Sequence, residues 1–413
     1  MRNSSIGLVL GIWLATIFAA RLAGEILLQG SASLFILAGT AAVWPLVYFV
    51  FSRVRIVPDT LPFGINFALG VFLAFGAASC FISEDVWRST AYFFLTVTVC
   101  YEVMVFNSNA RDVDIMVGLK FYSFITAIVL GLFAFFYYVP GVRLAEHSGT
   151  LNPNAIALVS ASVILSGMAY RNLIVKIVVV GLASIVLVLT GSRASAIAAI
   201  VGVGLIFYRK ILKQSLGVRV VILVVAILSI VAVIAVSGTI VDSYLEDYFK
   251  VHDKYRGIGT GITGRLYAWS VTWNLFLEHP VLGVGFRAHE LALNVASSAH
   301  NGYLAMLSEI GLFGAGAVFY IVFSGVRKLF FQRHDTALIQ GVDILFGMAF
   351  GYLLLAIFER YLLNIGNPLS ILFILAVMRG FLVRVEKIEK RIVERKILTK
   401  SEKKVSFRAG ASR

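Results

Sequence analysis

Charge is what this chain has little of. Asp, Glu, Lys and Arg make up 14% of its 413 residues, where a soluble chain averages about 25%. Apolar residues reach 59% and the mean hydropathy is +0.90. A water-soluble globule cannot keep that much apolar surface inside, so the composition excludes one and requires a polytopic membrane protein. Cysteine is nearly missing as well: Cys80 and Cys100 both lie inside apolar runs, which leaves no disulfide framework, redox pair or cysteine metal site. The sequence has no Walker motif, no HExxH, no GxSxG, and no closely spaced acidic pair to hold a metal with a nucleotide-sugar diphosphate. No metal site and no cofactor is therefore read from it, and no polar stretch is long enough for a large soluble domain.

What is there is a series of long apolar runs. Stretches such as 173–189 and 220–236 are continuous, whereas an outer-membrane barrel would show short alternating segments. The fold class is all-α. At about 20 residues per helical span, hydropathy places about twelve spans, at 6–20, 32–51, 61–82, 90–106, 115–137, 153–169, 172–190, 194–208, 219–237, 301–326, 337–358 and 366–383. The first is read as an uncleaved span because it feeds directly into others. Counting Lys and Arg on alternate connections gives 24 on the side of the N-terminus and 10 on the other, so both termini are expected in the cytoplasm. The chain divides into N-terminal helices over 1–150, a central region over 151–326, C-terminal helices over 327–383 and a basic tail over 384–413. That tail fits topology and contact with anionic headgroups of the lipid bilayer; with no aromatic or fold motif beside it, no nucleic-acid partner is expected.

One connection stands out. Residues 238–300, between the ninth and tenth spans, form a long loop expected outside the cytoplasm, and long structured loops usually carry function. Inside it Thr263 can cap a helix running to Glu278, stopped at His279–Pro280. Leu266, Trp269, Trp273, Phe276 and Leu277 fall on one stripe of that helix, suited to lying along a membrane interface. The stretch 242–254 mixes acids, bases and tyrosines, and no chemistry is read into it. Gly259, Gly261 and Gly264 satisfy GxGxxG, but no strand precedes them, so a dinucleotide fold is not expected. The glycine run 257–264 is read as a flexible loop, with an anion cradle at a helix N-terminus as the second reading.

Three residues on the outer side could act together. Arg265 sits in the first turn of the loop helix, where the macrodipole disfavours a cation; its presence asks for a partner carboxylate or an external anion such as phosphate. Arg193 occupies a very short turn between two spans and has two readings, snorkelling to headgroups or bidentate donation to a phosphate. His300 stands where the long loop meets the tenth span. A base beside two cations is a reasonable arrangement for moving a group off a lipid diphosphate. Glu309, about 13.5 Å further along a helix, is read as a structural hydrogen-bonding group, and Asn301 with it as structural or accessory.

The segment from His300–Asn301–Gly302 through Glu309 to Gly314 closely resembles the signature of the O-antigen ligase and polymerase superfamily. Three more segments resemble it in the same order: Asn152–Pro153–Asn154, the run from Thr190 through Arg193 to Ser195, and Arg265 to Trp269 followed by His279 to Phe286. Together they cover roughly 150–320. The resemblance implies an inverting, metal-independent integral-membrane glycosyltransferase. Its donor would be a glycan on undecaprenyl diphosphate at the periplasmic face of the inner membrane, and its acceptor a saccharide, either a growing polymer or lipid A–core. By the same implication Arg193 and Arg265 hold the diphosphate and His300 acts on the acceptor hydroxyl. Within that resemblance, the form of the His300 motif favours a polymerase of O-antigen or exopolysaccharide over a ligase. A protein O-oligosaccharyltransferase and a transporter or flippase of lipid-linked glycans remain as alternatives.

Overall fold

The computed structural model describes residues 4–27, 36, 38–52, 54–140, 142–145, 152–211, 214–221, 263–292, 299–332, 341–360, 362–363 and 365–381. Among these residues every regular element is helical. They are α1 (Ser4–Leu27), a π-helical turn (Gly39–Val43) leading into α2 (Trp44–Phe51), α3 (Phe63–Phe81), α4 (Val86–Asn109), α5 (Asp112–Tyr137), α6 (Pro153–Gly167), α7 (Leu173–Thr190), α8 (Arg193–Ile211), α9 (Thr263–Glu278), α10 (His289–Ala292), α11 (Gly302–Phe331), α12 (Gly341–Leu355) and α13 (Pro368–Phe381). Six of them, α1, α3, α4, α5, α7 and α11, are long and apolar enough to cross a membrane, and five further apolar stretches are shorter. The ninth expected span beyond residue 221, the stretch 242–254, Gly259, Gly261 and the tail over 384–413 lie outside the described residues.

Burial sorts the helices. Ala155 to Gly167 of α6 are all buried, as is every residue of α13, so these two are enclosed on every side and form the interior. By contrast α3, α5, α7 and α11 turn large side chains outward, among them Phe63, Phe67, Phe135, Ile174, Ile177 and Phe323. That coat would be untenable in water and is ordinary against lipid tails. Cys80 and Cys100 are both free, on α3 and α4. The expected span over 32–51 is irregular: a π turn precedes Pro45, which sits in the first turn of α2.

Close helix crossings fix which loops meet. α8 and α12 run antiparallel, with Gly351 against the Ala198 carbonyl and Gly347 against that of Gly202, so near that a Cβ on either would overlap it. Continued along the helices, this register sets Arg193 level with Ala356, just past the end of α12. At the opposite end of the bundle Arg379 donates to the Ala110 carbonyl at 2.8 Å, and the Gly341 amide to Asp112 Oδ2 at 3.0 Å.

α11 is not one straight span. It starts at Gly302, runs on to Phe331, and is interrupted at Gly311, whose φ of 68° and ψ of −177° are non-helical. The cause is the loop after α9, which inserts here. The Leu312 amide donates to the Pro280 carbonyl at 2.8 Å, Val284 to Ser308 at 2.8 Å and Gly285 to Glu309 at 3.1 Å. A side chain at Gly311 would overlap the Val281 carbonyl, and one at Gly283 the Glu309 backbone. Both glycines also hold positive φ, so only glycine fits. The two motif segments that the sequence separates by some twenty residues are thus stitched backbone to backbone.

Candidate functional site

The helix expected over Thr263–Glu278 is present with those bounds, ending before Pro280. Of the five stripe residues, Leu266, Trp273 and Leu277 face away from the protein. Ala268, Thr272, Leu275 and Phe276 are buried. Packing against the protein has taken one side of the helix and left the remaining apolar side chains outward. Trp269 lies between the two faces and donates through Nε1 to the His300 carbonyl at 3.4 Å, which ties α9 to the start of α11.

That start is built tightly. Asn301 caps α11, its Oδ1 accepting from the amides of Tyr303 at 3.0 Å and Leu304 at 3.1 Å. The Gly302 amide donates to the Ala356 carbonyl at 2.7 Å, joining it to the turn after α12. His300 itself is held at φ 46°, a conformation uncommon outside glycine and recurrent at functional sites.

The α12 turn brings Glu359, 4% exposed, to the centre of the cluster. Asn154 Nδ2 donates to its Oε1 at 3.0 Å, the Arg265 guanidinium is 3.7 Å from the same oxygen, and His300 Nδ1 is 4.0 Å from Oε2. Arg265 also lies over the Phe358 ring at 5.8 Å. Behind Asn154 stands Arg143, which donates to Asn154 Oδ1 at 3.2 Å and to the Thr190 carbonyl at 2.7 Å. The chain of contacts therefore runs from the Thr190–Gly191 turn through Arg143, Asn154 and Glu359 to Arg265 and His300. Arg193 opens α8 two residues after Gly191 and is half-buried, and the α8–α12 register sets it level with Ala356.

The electrostatics follow from burial. Removing Glu359 from water pushes its pKa up to about 7, against the pull of Arg265 and then Arg143. His300 is shifted down, first by burial and next by the Arg265 charge, so its imidazole stays neutral at neutral pH. With 39% of its side chain exposed, the ring is open to a substrate hydroxyl. A neutral imidazole facing a buried carboxylate, with a cation alongside, can accept a proton and have the resulting charge offset.

Glu309 lies apart from this group. It accepts from His289 Nδ1 at 2.6 Å and pairs with Arg360 at 3.2 Å. Its partners come from helix α10 and from the turn after α12. With Nδ1 donating to Glu309, His289 Nε2 is free to accept from the Ala299 amide at 3.4 Å, one residue before His300. Arg360 also pairs with Glu290. The residues that sequence reasoning missed are Glu359, Arg360, Arg143 and His289. The one visible signal was the acid–base pair Glu359–Arg360 ending an apolar run.

No curated protein matches the chain. A family model described as O-antigen ligase matches residues 178–320, a stretch that includes Arg193, Arg265, His300 and Glu309 and excludes Arg143, Asn154 and Glu359. The match supports glycan transfer of the O-antigen ligase or polymerase type by a multi-pass membrane protein. Through this region, with its loop helix and the motif that opens α11, the chain is similar to the O-antigen ligase family over residues 178–320.

Proposed function

We propose that the protein transfers a glycan from an undecaprenyl diphosphate carrier to a saccharide hydroxyl at the periplasmic face of a bacterial inner membrane, and that it acts as a polymerase of O-antigen or exopolysaccharide. The observation that carries this reading is the convergence of His300, Arg265 and Glu359 at one end of the bundle, with Arg193 level with them. The excess of basic residues on the opposite connections supports placing that end outside the cytoplasm.

In the mechanism His300 takes the proton of the acceptor hydroxyl. The oxygen attacks the anomeric carbon of the donor sugar from the face opposite the diphosphate, the bond from that carbon to the diphosphate oxygen breaks with its electron pair, and the configuration inverts. Undecaprenyl diphosphate leaves with the added negative charge, which Arg265 and Arg193 stabilise. The donor is already activated, so no nucleotide is consumed. Glu359 steadies the imidazolium as it forms, and Asn154 and Arg143 hold Glu359 in place.

A gel assay of purified protein with an undecaprenyl-diphosphate-linked repeat, with and without lipid A–core, tests the reading. A ladder of longer lipid-linked glycans in the absence of core is the expected result. Product that forms only with core present makes the protein a ligase.

A further inference from the structure

The corner between α3 and α4 packs against the loop that interrupts α11. Ser83 lies so near Gly285 that a Cβ there would overlap it, and the Phe93 and Phe286 rings meet edge to face at 5.4 Å. Because the Gly285 amide also donates to the Glu309 carbonyl at 3.1 Å, the corner stands at the Glu309 end of the bundle. Around it Phe81, Ile82 and Trp87 are bare, Trp87 to 87%. Large apolar and aromatic side chains exposed at a span end suit the boundary between lipid tails and headgroups.

Two arginines border a single ring at this corner. Arg88 lies over Tyr92 at 6.0 Å and Arg287 over the same ring at 5.2 Å. Each is short of an anion for its own reason. Arg88 is the third residue of α4, where the macrodipole disfavours a cation. The nearest acid, Asp85, spends Oδ1 on the Arg88 amide at 2.9 Å, and neither it nor the exposed Glu84 pairs with the guanidinium. Arg287 is half-buried, and the carboxylates on its side, Glu309 and Glu290, are paired with Arg360. Its backbone is held at φ 61°, a costly conformation outside glycine. Among the described residues neither guanidinium makes a hydrogen bond or an ion pair. Like charges gathered at one ring repel, and an external anion relieves both.

We infer that the α3–α4 corner binds an anionic phospholipid from the leaflet at this end of the bundle, its phosphodiester held by Arg88 and Arg287. Phe81, Ile82 and Trp87 then stand at the level of its headgroup and upper acyl chains. The occupant is a lipid because Arg88 is exposed at an apolar rim, where headgroup phosphates are the abundant anion. Arg88 belongs to α4 and Arg287 to the loop, so the bound phosphate ties the two together. This site does not depend on the function proposed above.

The test reads lipid at Trp87. The full chain is placed in phosphatidylcholine nanodiscs containing a minor share of phosphatidylglycerol or phosphatidylcholine with brominated acyl chains, and Trp87 quenching is taken as the difference from Trp87→Phe. Phosphatidylglycerol should bind there about tenfold more tightly than phosphatidylcholine, as expected of a charge-assisted contact. Arg88→Gln and Arg287→Gln should each lower that preference about threefold and together erase it. Equal quenching by the two lipids overturns the inference without any change to the arginines, and so does a preference that survives the double substitution. Arg88 is exposed, so Arg88→Gln decides alone if Arg287→Gln does not fold: an unchanged preference in it overturns the inference. Displacement of brominated phosphatidylglycerol by millimolar inorganic phosphate makes this a free-anion site and overturns the lipid assignment.

Discussion

Glu309 and Glu359 sit at the same end of the bundle and are almost equally buried, 3% and 4% exposed, yet they live in different surroundings. Glu309 is gripped by His289 at 2.6 Å and Arg360 at 3.2 Å. Glu359 has one amide at 3.0 Å, with its cation and its histidine standing off at 3.7 and 4.0 Å. Burial is the same, so pairing makes the difference. A carboxylate closed into a saturated cluster holds the backbone of α10 and α11 in register. One left half-paired can change its proton or its partner when substrate arrives.

The sharpest way to break that contrast is to neutralise each carboxylate in turn. Removing one partner of a buried ion cluster leaves the others uncompensated, so Glu309→Gln should cost about 3 kcal/mol of stability and lower the unfolding temperature in detergent. Glu359→Gln should hold or raise that temperature at pH 8, because the buried group it replaces is disfavoured in its charged form. A Glu309 variant that unfolds like wild type while losing activity would reverse the roles given to the two residues. The pH dependence has a definite sign. Glu359 has a folded pKa of about 7, raised above its ordinary value of 4.5, so its contribution to stability is complete below about 4.5 and is lost as pH rises through about 7. That slope should vanish in Glu359→Gln.

Next in size is the base. His300→Ala should fold normally and lose turnover by a factor on the order of 10² or more, measured as glycan ladder formed per folded protein. The matching change in the tight cluster, His289→Ala, should act mainly through stability and the placement of residue 299, so its unfolding temperature should fall. If His289→Ala lost as much turnover as His300→Ala at unchanged stability, the tight cluster would be part of the chemistry.

Much of this was legible in the sequence, and what was not has a physical reason. Apolar run length marked the helices, and Pro280 and the cap position marked both ends of Thr263–Glu278. Arg265 stood out because the macrodipole disfavours a cation in a first turn, and Arg193 and His300 because charge counting sets them on the same side as Arg265. Glu359 did not, since it lies about sixty residues from His300 and is brought to it by contacts such as the bond from the Gly302 amide to the Ala356 carbonyl, which no local pattern encodes. Which side of α9 packs against the protein was not legible for a related reason. Hydropathy records that Leu266, Trp273 and Leu277 are apolar, but which apolar side chains meet protein and which meet lipid depends on where the neighbouring helices stand. Nor does sequence reveal that Gly311 breaks α11, because the break is imposed by the loop that crosses it.

The smallest effect expected concerns Arg265, which belongs to the loose cluster and influences both its other members. Burial is the larger cause of the low pKa of His300, and the Arg265 charge the second. The acid limb of the pH–rate profile should therefore have its midpoint below the ordinary histidine value of 6.5 in the wild-type protein, with rate rising as His300 loses its proton. Arg265→Gln should move that midpoint upward as well as weakening the donor. Arg265→Lys keeps the charge near His300 and so should leave the midpoint close to wild type, while still weakening the donor if the diphosphate is held by a two-pronged guanidinium. The two substitutions separate what Arg265 does for the base from what it does for the leaving group. An unmoved midpoint in Arg265→Gln would show that the loose cluster is no more coupled electrostatically than its 3.7 and 4.0 Å separations already allow.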